Sequence, residues 1–392
     1  MTQPFIPYGR QDIQPEDIDA VIAVLQSDFL TQGPLIPRFE DALIAVAGAK
    51  YAVAMNSGTS ALHVACAALG LGPGDWLWTV PNSFVASANC GLYCGASVDF
   101  VDIDRQTRNM SVEALAAKLE RAAAEKKLPK VVVPVHFGGQ SCDMRAIKSL
   151  ADRYDFYLVE DASHAIGGTF DGQPIGNCRF SDVTVFSFHP VKAVTTAEGG
   201  AAMTNDLELA ERMAMLRTHG ISRAPEVMEG PSEGPWYYQM LALGWNYRLT
   251  DVQAALGLSQ IKRLSEYVRR RTELADRYDR LLAGSGLTLP QRISASASAW
   301  HLYVIGWTPP ASGLSRRDAF VRLRQAGIGV NVHYIPIHLQ PVYRRLGFAP
   351  GQFQNAEDYY ATAITLPLHQ RMTDAEQDRV VEQVMGLRRA AA

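Results

Sequence analysis

Short runs of apolar and β-branched residues recur along the first two-thirds of the chain, at 51–55, 76–80, 98–101, 131–135 and 156–159. Each is too short for a helix and almost wholly apolar, the pattern of a strand covered on both faces. Between them, apolar positions return at helical spacing over 60–69, 83–93, 111–124 and 144–154. Strand and helix in alternation predict a largely parallel α/β sheet, whose ligands sit beyond the C-terminal ends of the strands. Runs at 183–188 and 200–203 add two strands, and 207–217 adds a helix. One long helical pattern over 251–282 then links two lobes. Segments 300–307, 315–326, 359–366 and 373–387 read as a smaller α+β unit. The expected division is a large domain over 1–250 with an N-terminal arm, and a linking helix plus small domain over 251–392. Residues 388–392 read as a frayed tail.

Composition narrows the class. Apolar residues make up 47% of 392 and charged residues 20%, enough to bury a core and too apolar for wholesale disorder. A net charge of −3 gives no basic excess for nucleic acid. The N-terminus lacks a basic segment followed by an apolar one, and no run nears the roughly 18 apolar residues of a spanning helix. Five cysteines (Cys66, Cys90, Cys94, Cys142, Cys178) are an odd number without framework spacing, which predicts free thiols. Cys90 and Cys94 could share one helical turn, but no second Cys/His pair stands at ligand spacing, so no metal is expected. The expectation is a cytoplasmic enzyme with no membrane or nucleic-acid partner.

The cations divide into 29 Arg and 8 Lys. Only Lys can do amine chemistry. Six lysines stand among charged or helix-surface neighbours, and Lys50 lies in a turn. Lys192 alone is set in an apolar, glycine-adjacent stretch, Phe186-Ser-Phe-His-Pro-Val-Lys192. Burial there would disfavour the ammonium and free the amine for Schiff-base chemistry. Glu160-Asp161-Ala-Ser-His164 directly follows the apolar strand at 156–159, where a carboxylate points into the ligand crevice. An N-cap or turn acid would look the same in isolation. Met55-Asn-Ser-Gly-Thr-Ser60 runs from strand to helix and offers backbone N–H groups and hydroxyls to an anion such as phosphate, although ordinary capping uses the same letters. Phe84, in Pro81-Asn-Ser-Phe84, could stack on a planar ring. No dinucleotide fingerprint, P-loop or nucleophile elbow occurs. An amine, an acid, an anion cradle and an aromatic face, all at strand ends, are together the needs of pyridoxal 5′-phosphate (PLP).

The ordered set Ser57-Gly-Thr-Ser-Ala-Leu62, Glu160-Asp-Ala-Ser-His164, the lysine segment and Gly244-Trp-Asn-Tyr-Arg-Leu-Thr-Asp-Val-Gln-Ala-Ala-Leu-Gly257 resembles the DegT/StrS-type nucleotide-sugar aminotransferases, from Tyr8 to about Pro367. That resemblance implies the fold type I aminotransferase fold and a homodimer with active sites at the interface. It implies that Lys192 holds PLP as a Schiff base and that Asp161 pairs with the pyridine nitrogen. Ser187 and the turn Gly58, Thr59, Ser60 would hold the phosphate, with Asn246 reaching it from the partner subunit. Phe84 would lie over the ring. His164 would sit at its hydroxyl side, where many members carry Gln.

Three segments, Asp28-Phe-Leu-Thr-Gln-Gly33, Pro81-Asn-Ser-Phe-Val-Ala-Ser-Ala-Asn89 and Val332-His-Tyr-Ile-Pro-Ile-His338, resemble the subgroup that serves pseudaminic acid biosynthesis. Its reaction moves an amino group from L-glutamate to C4 of UDP-2-acetamido-2,6-dideoxy-β-L-arabino-hex-4-ulose. By that likeness Tyr8, Phe29, Leu30, Thr31, His333 and Tyr334 would line the sugar-nucleotide pocket. Another UDP- or dTDP-keto sugar, of the perosamine or bacillosamine type, is the alternative substrate. Relatives that dehydrate deoxysugars replace the Schiff-base lysine with histidine, and this chain keeps Lys192. A non-enzymatic regulator on the same fold is the remaining alternative, and no DNA-binding module is appended to favour it.

Overall fold

The computed structural model describes residues 4–309 and 313–389. Seven strands form the central sheet: β1 (Tyr51–Met55), β2 (Trp76–Thr79), β3 (Ser97–Phe100), β4 (Val131–Val133), β5 (Tyr157–Asp161), β6 (Val183–Ser187) and β7 (Gly200–Thr204). Their order is β1-β7-β6-β5-β4-β2-β3. The run from β6 to β3 is parallel throughout, whereas β7 is antiparallel to both neighbours. The exception has a simple cause. A parallel return needs a crossover of a dozen or more residues, usually a helix. Residues 188–199 instead form a loop, so the chain comes back antiparallel. That loop carries Lys192.

Helices cover the sheet: α1 (Pro15–Leu25), α2 (Leu35–Ala47), α3 (Gly58–Ala68), α4 (Ala86–Tyr93), α5 (Val112–Glu125), α6 (Met144–Tyr154) and α7 (Leu207–Leu216). The small residues of α3, Gly-Thr-Ser-Ala-Leu-His-Val-Ala-Cys-Ala-Ala, let it bury almost every side chain. The sequence reading named neither α1 nor α2.

The expected single linking helix is two, α8 (Asp251–Ile261) and α9 (Leu264–Leu281), broken at Lys262-Arg263. At the break Arg263 donates to Tyr267 Oη at 2.8 Å and pairs with the fully buried Asp17 of α1 at 2.6 Å. Ala254, Ile261 and Leu264 pack with Phe39 and Phe186 of the sheet-side core. From Leu274 onward, α9 belongs to a second core with Trp307, Leu323 and Val380. The seam between the two cores therefore lies within α9.

The second core is built on an antiparallel strand pair, Tyr303–Gly306 with Ala363–Leu366, flanked by helices Arg316–Gln325 and Asp374–Arg389. Ile6 joins this core from the far end of the chain. Its N–H donates to Gly327 O (2.9 Å), its carbonyl accepts from Gly329 N–H (2.6 Å), and Tyr8 O accepts from Leu368 N–H (3.0 Å). Residues 388 and 389 are helical and not frayed. The Arg388 guanidinium donates to the carbonyls of Ser285, Thr308 and Gly286 at 3.0, 2.5 and 3.2 Å. Residues 390–392 of the expected tail lie outside the described residues. All five cysteines are unpaired. Among the described residues no helix is long and apolar enough to cross a membrane.

Candidate active site

The C-terminal ends of β5 and β6, the start of α3 and segment 331–334 enclose a cavity of about 610 Å³. Strand alternation settles which of two adjacent acids enters it. Glu160 faces the other side, where Ser181 Oγ and His136 Nε2 hold its carboxylate at 2.5 and 2.6 Å. Burial alone would raise the Glu160 carboxyl, but the bonds from His136, Ser181 and Thr184 outweigh it and hold it low. Asp161, 5% exposed, lines the cavity. Its Oδ2 accepts from Ser87 Oγ at 2.6 Å and its Oδ1 from Ser163 N–H at 3.1 Å. Those two donors fix the orientation of the carboxylate.

Lys192 enters from the loop between β6 and β7. The loop is pinned by Phe188 N–H to Gly199 O (2.9 Å), Thr196 N–H to Phe188 O (3.0 Å) and Lys192 N–H to His189 O (2.9 Å). Burial dominates the amine's electrostatics and pushes it from its ordinary 10.5 down to about 8, with the nearby Asp161 charge opposing the shift. An amine at that value is neutral in about one molecule in ten at pH 7.

The start of α3 forms a third wall. Ser57 caps the helix, its Oγ accepting the Ser60 N–H at 3.0 Å. Gly58 and Thr59 line the cavity next to Ser187. A Cβ on Gly58 would lie 2.9 Å from Ser187 Cβ, so only glycine lets the helix start come this close to the end of β6. Ser60 lies just behind this wall. Its hydroxyl donates to Asn56 Oδ1 at 2.6 Å and contacts Ser57 Oγ at 2.8 Å, so it serves the cap and does not line the cavity.

Tyr8, Phe84, His164, His333 and Tyr334 close the remaining sides. Phe84 is 58% exposed, unusual for a core phenylalanine, and its ring centroid lies 6.5 Å from that of Tyr334. His164 stacks beside Tyr334 at 6.1 Å and lies 4.3 Å from His301. Burial, reinforced by the Lys192 charge, keeps His164 neutral and pushes His333 down to about 3. His333 Nδ1 meets Thr365 Oγ1 at 2.8 Å.

Four predicted residues lie elsewhere within this chain. Phe29, Leu30, Thr31 and Asn246 are exposed and line no part of the cavity. Thr31 bridges to Thr250, and Asn246 to Thr218. Conversely, the fold brings Ser87, Ser163, Asn331, Glu198 and His301 to the site, none of which the sequence motifs indicate. Ser87 lay inside a segment singled out for other reasons. His301, with its buried Nδ1 unpartnered, is the second residue of the run at 300–307 and carries no local signal.

The residues present fit PLP. An enclosed lysine supplies the amine, and a carboxylate held by two donors faces it. A helix start offers N–H groups beside a hydroxyl in a cradle that one added methyl would fill. The volume lies within the ~300–1,000 Å³ usual for cofactor and ligand sites.

Comparison with known proteins agrees. The DegT/DnrJ/EryC1/StrS aminotransferase family matches residues 11–385. The spore coat polysaccharide biosynthesis protein SpsC of Bacillus subtilis is 40% identical over 390 residues, 99% of this chain and 98% of its own. A UDP-4-amino-4,6-dideoxy-N-acetyl-beta-L-altrosamine transaminase of Campylobacter jejuni is 38% identical over 94% of this chain and 93% of its own. Helicobacter pylori PseC, an aminotransferase involved in pseudaminic acid biosynthesis, superposes with a TM-score of 0.89 at 32% identity, covering 98% of this chain and 100% of that one. Another solved neighbour exists in both a PLP-form and a PMP-form.

Proposed function

Because this chain belongs to the DegT/DnrJ/EryC1/StrS aminotransferase family, we propose that it moves an amino group from L-glutamate to C4 of UDP-2-acetamido-2,6-dideoxy-β-L-arabino-hex-4-ulose, a step of pseudaminic acid biosynthesis. The coarser statement needs no proposal: the protein is a PLP-dependent nucleotide-sugar aminotransferase. The observation that carries the finer reading is Lys192 and Asp161 facing one cavity whose far wall is Tyr8, His333 and Tyr334. Relatives at 36–38% identity named as altrosamine transaminases support the substrate.

When bound, PLP supplies an aldehyde for amine exchange and a ring that delocalises negative charge from the donor's Cα. The chain's residues do the rest. Lys192 would hold the cofactor through its amine and, once free, would carry the donor's Cα proton to the carbon of the cofactor's aldehyde. Near its lowered value the amine can both take that proton and give it up at the second carbon, general acid–base work of about 10²–10⁴-fold. Asp161, steadied by Ser87 and Ser163, keeps a proton on the pyridine nitrogen. Gly58 and Thr59 N–H groups with Ser187 Oγ would hold the phosphate, and Phe84 would cover the ring. Exclusion of water by Tyr8, His333 and Tyr334 strengthens each of these interactions.

A homodimer completes the site in this reading. Large apolar side chains stand in water in the isolated chain, among them Leu243 (79% exposed) and Trp236 (69%), flanking the segment that ends in Asn246. A second copy would cover them. It would bring Asn246 to the phosphate and Phe29, Leu30 and Thr31 to the sugar nucleotide.

The test offers the holoenzyme glutamate and a panel of UDP- and dTDP-linked 4-keto sugars and compares kcat/KM. The β-L-arabino UDP sugar should lead by at least tenfold. A dTDP or bacillosamine-type sugar in front would overturn the substrate and leave the enzyme class intact.

A further inference from the structure

The hydrogen bonds around His164 have a fixed direction. Its Nδ1 lies 3.3 Å from the N–H of Gly138, and that amide makes no other hydrogen bond among the described residues. A backbone N–H can only donate, so Nδ1 must be the unprotonated nitrogen. A neutral imidazole then carries its proton on Nε2, and Nε2 lies 3.1 Å from Tyr334 Oη. The imidazole therefore donates and the phenol accepts. The phenol's own proton finds no acceptor among the described residues, and Tyr334 lines the cavity beside Phe84.

We infer that Gly138, acting through His164, fixes Tyr334 as a hydrogen-bond donor aimed into the cavity, where it recognises an acceptor oxygen. This rests on the aminotransferase reading and deepens it. His164 is a positioning residue: its one N–H is committed to Tyr334. The donor presented to the ligands at this wall is the phenol. Two oxygens could be its partner, the phenolic oxygen of PLP or a carbonyl or hydroxyl oxygen of the keto sugar.

Three measurements separate these outcomes. In the apo-protein, ¹⁵N shifts of the His164 ring should show the Nε2–H tautomer; the Nδ1–H tautomer would overturn the inference whatever the enzyme's substrate. Tyr334→Phe, read in the holoenzyme without substrate, should move the pH midpoint of the cofactor absorbance by about one unit if PLP is the partner. If the sugar is the partner, the spectrum should stay and the sugar KM rise about tenfold with glutamate KM unchanged. No change in either readout would sink the idea. His164→Phe should reproduce the Tyr334→Phe effect in part. His164→Gln, whose amide can accept from Gly138 and donate to Tyr334, should restore it, and failure of that rescue would remove His164 from the chain. A failed sugar panel with an intact tautomer and spectral shift would refute the substrate alone.

Discussion

The Lys192 amine stores a measurable instability. Its folded-state value of about 8 lies below its ordinary 10.5, so the folded protein holds this proton less tightly than the unfolded chain. Below pH 8 the amine is charged in both states, and folding bears the full penalty. As pH rises from 8 toward 10.5 the folded state loses the proton first, and stability is regained. Linkage over 2.5 units gives about 3 kcal/mol at pH 7 and about 1 kcal/mol at pH 9.5. Lys192→Met keeps the length and removes the charge, so the apo-variant should be more stable than the apo-parent by about 3 kcal/mol at pH 7. A domain of 150–250 residues shifts by about 2–4 °C per kcal/mol, and this longer chain should shift by less, giving roughly 3–6 °C. Differential scanning of both apo-proteins at pH 7 and 9.5 reads the gap and its closure. An apo-variant that melts at or below the parent at pH 7, or a gap that widens at pH 9.5, would refute the desolvation argument. The same variant should have no transaminase activity, which makes stability and function move in opposite directions.

Gly58→Ala places a methyl 2.9 Å from Ser187 Cβ and should weaken PLP about 10- to 100-fold by equilibrium dialysis; unchanged affinity would remove the cradle from the phosphate site. Asp161→Asn should lower kcat by about 10²–10³ with an unaltered circular dichroism spectrum, and a loss under tenfold would mean the carboxylate is not facing the cofactor nitrogen. Asp251 is buried at the start of α8 and accepts the Gly33 and Leu35 N–H groups at 2.7 and 3.0 Å. Asp251→Ala should cost about 2–4 kcal/mol in urea unfolding, and a change below about 0.5 kcal/mol would show these bonds to be replaced by water.

The strands were readable because they are covered on both faces and so almost uniformly apolar. The helices were readable in proportion to how fully one face is buried. α1 escaped notice because Ile18, Ile22 and Leu25 stay exposed in the single chain while the buried Asp17 is polar. α2 carries Ile36, Phe39, Leu43 and Ala47 at helical spacing, but Pro37 in its first turn reads as a breaker when it is merely tolerated there. The site was legible where chemistry sits at a strand end, as at Asp161, Lys192 and Gly58. It was illegible where a partner comes from afar. Ser87 meets Asp161 from 74 positions away, and Ser60 turned inward because Ser57 and Asn56 claim its hydroxyl.

The pairing of Ile6 with residues 327–329, and of Tyr8 with Leu368, bears on how the protein is made. Tyr8 is a wall of the cavity, yet the backbone that seats it is made about 360 residues later. At about 5–20 residues per second, the roughly 360 residues between these partners take some 20–70 s to synthesise. Through that interval the sheet can form around Lys192 while the arm waits undocked. Tyr8 can therefore take its place in the cavity wall only after residues 327–329 and 368 have been made.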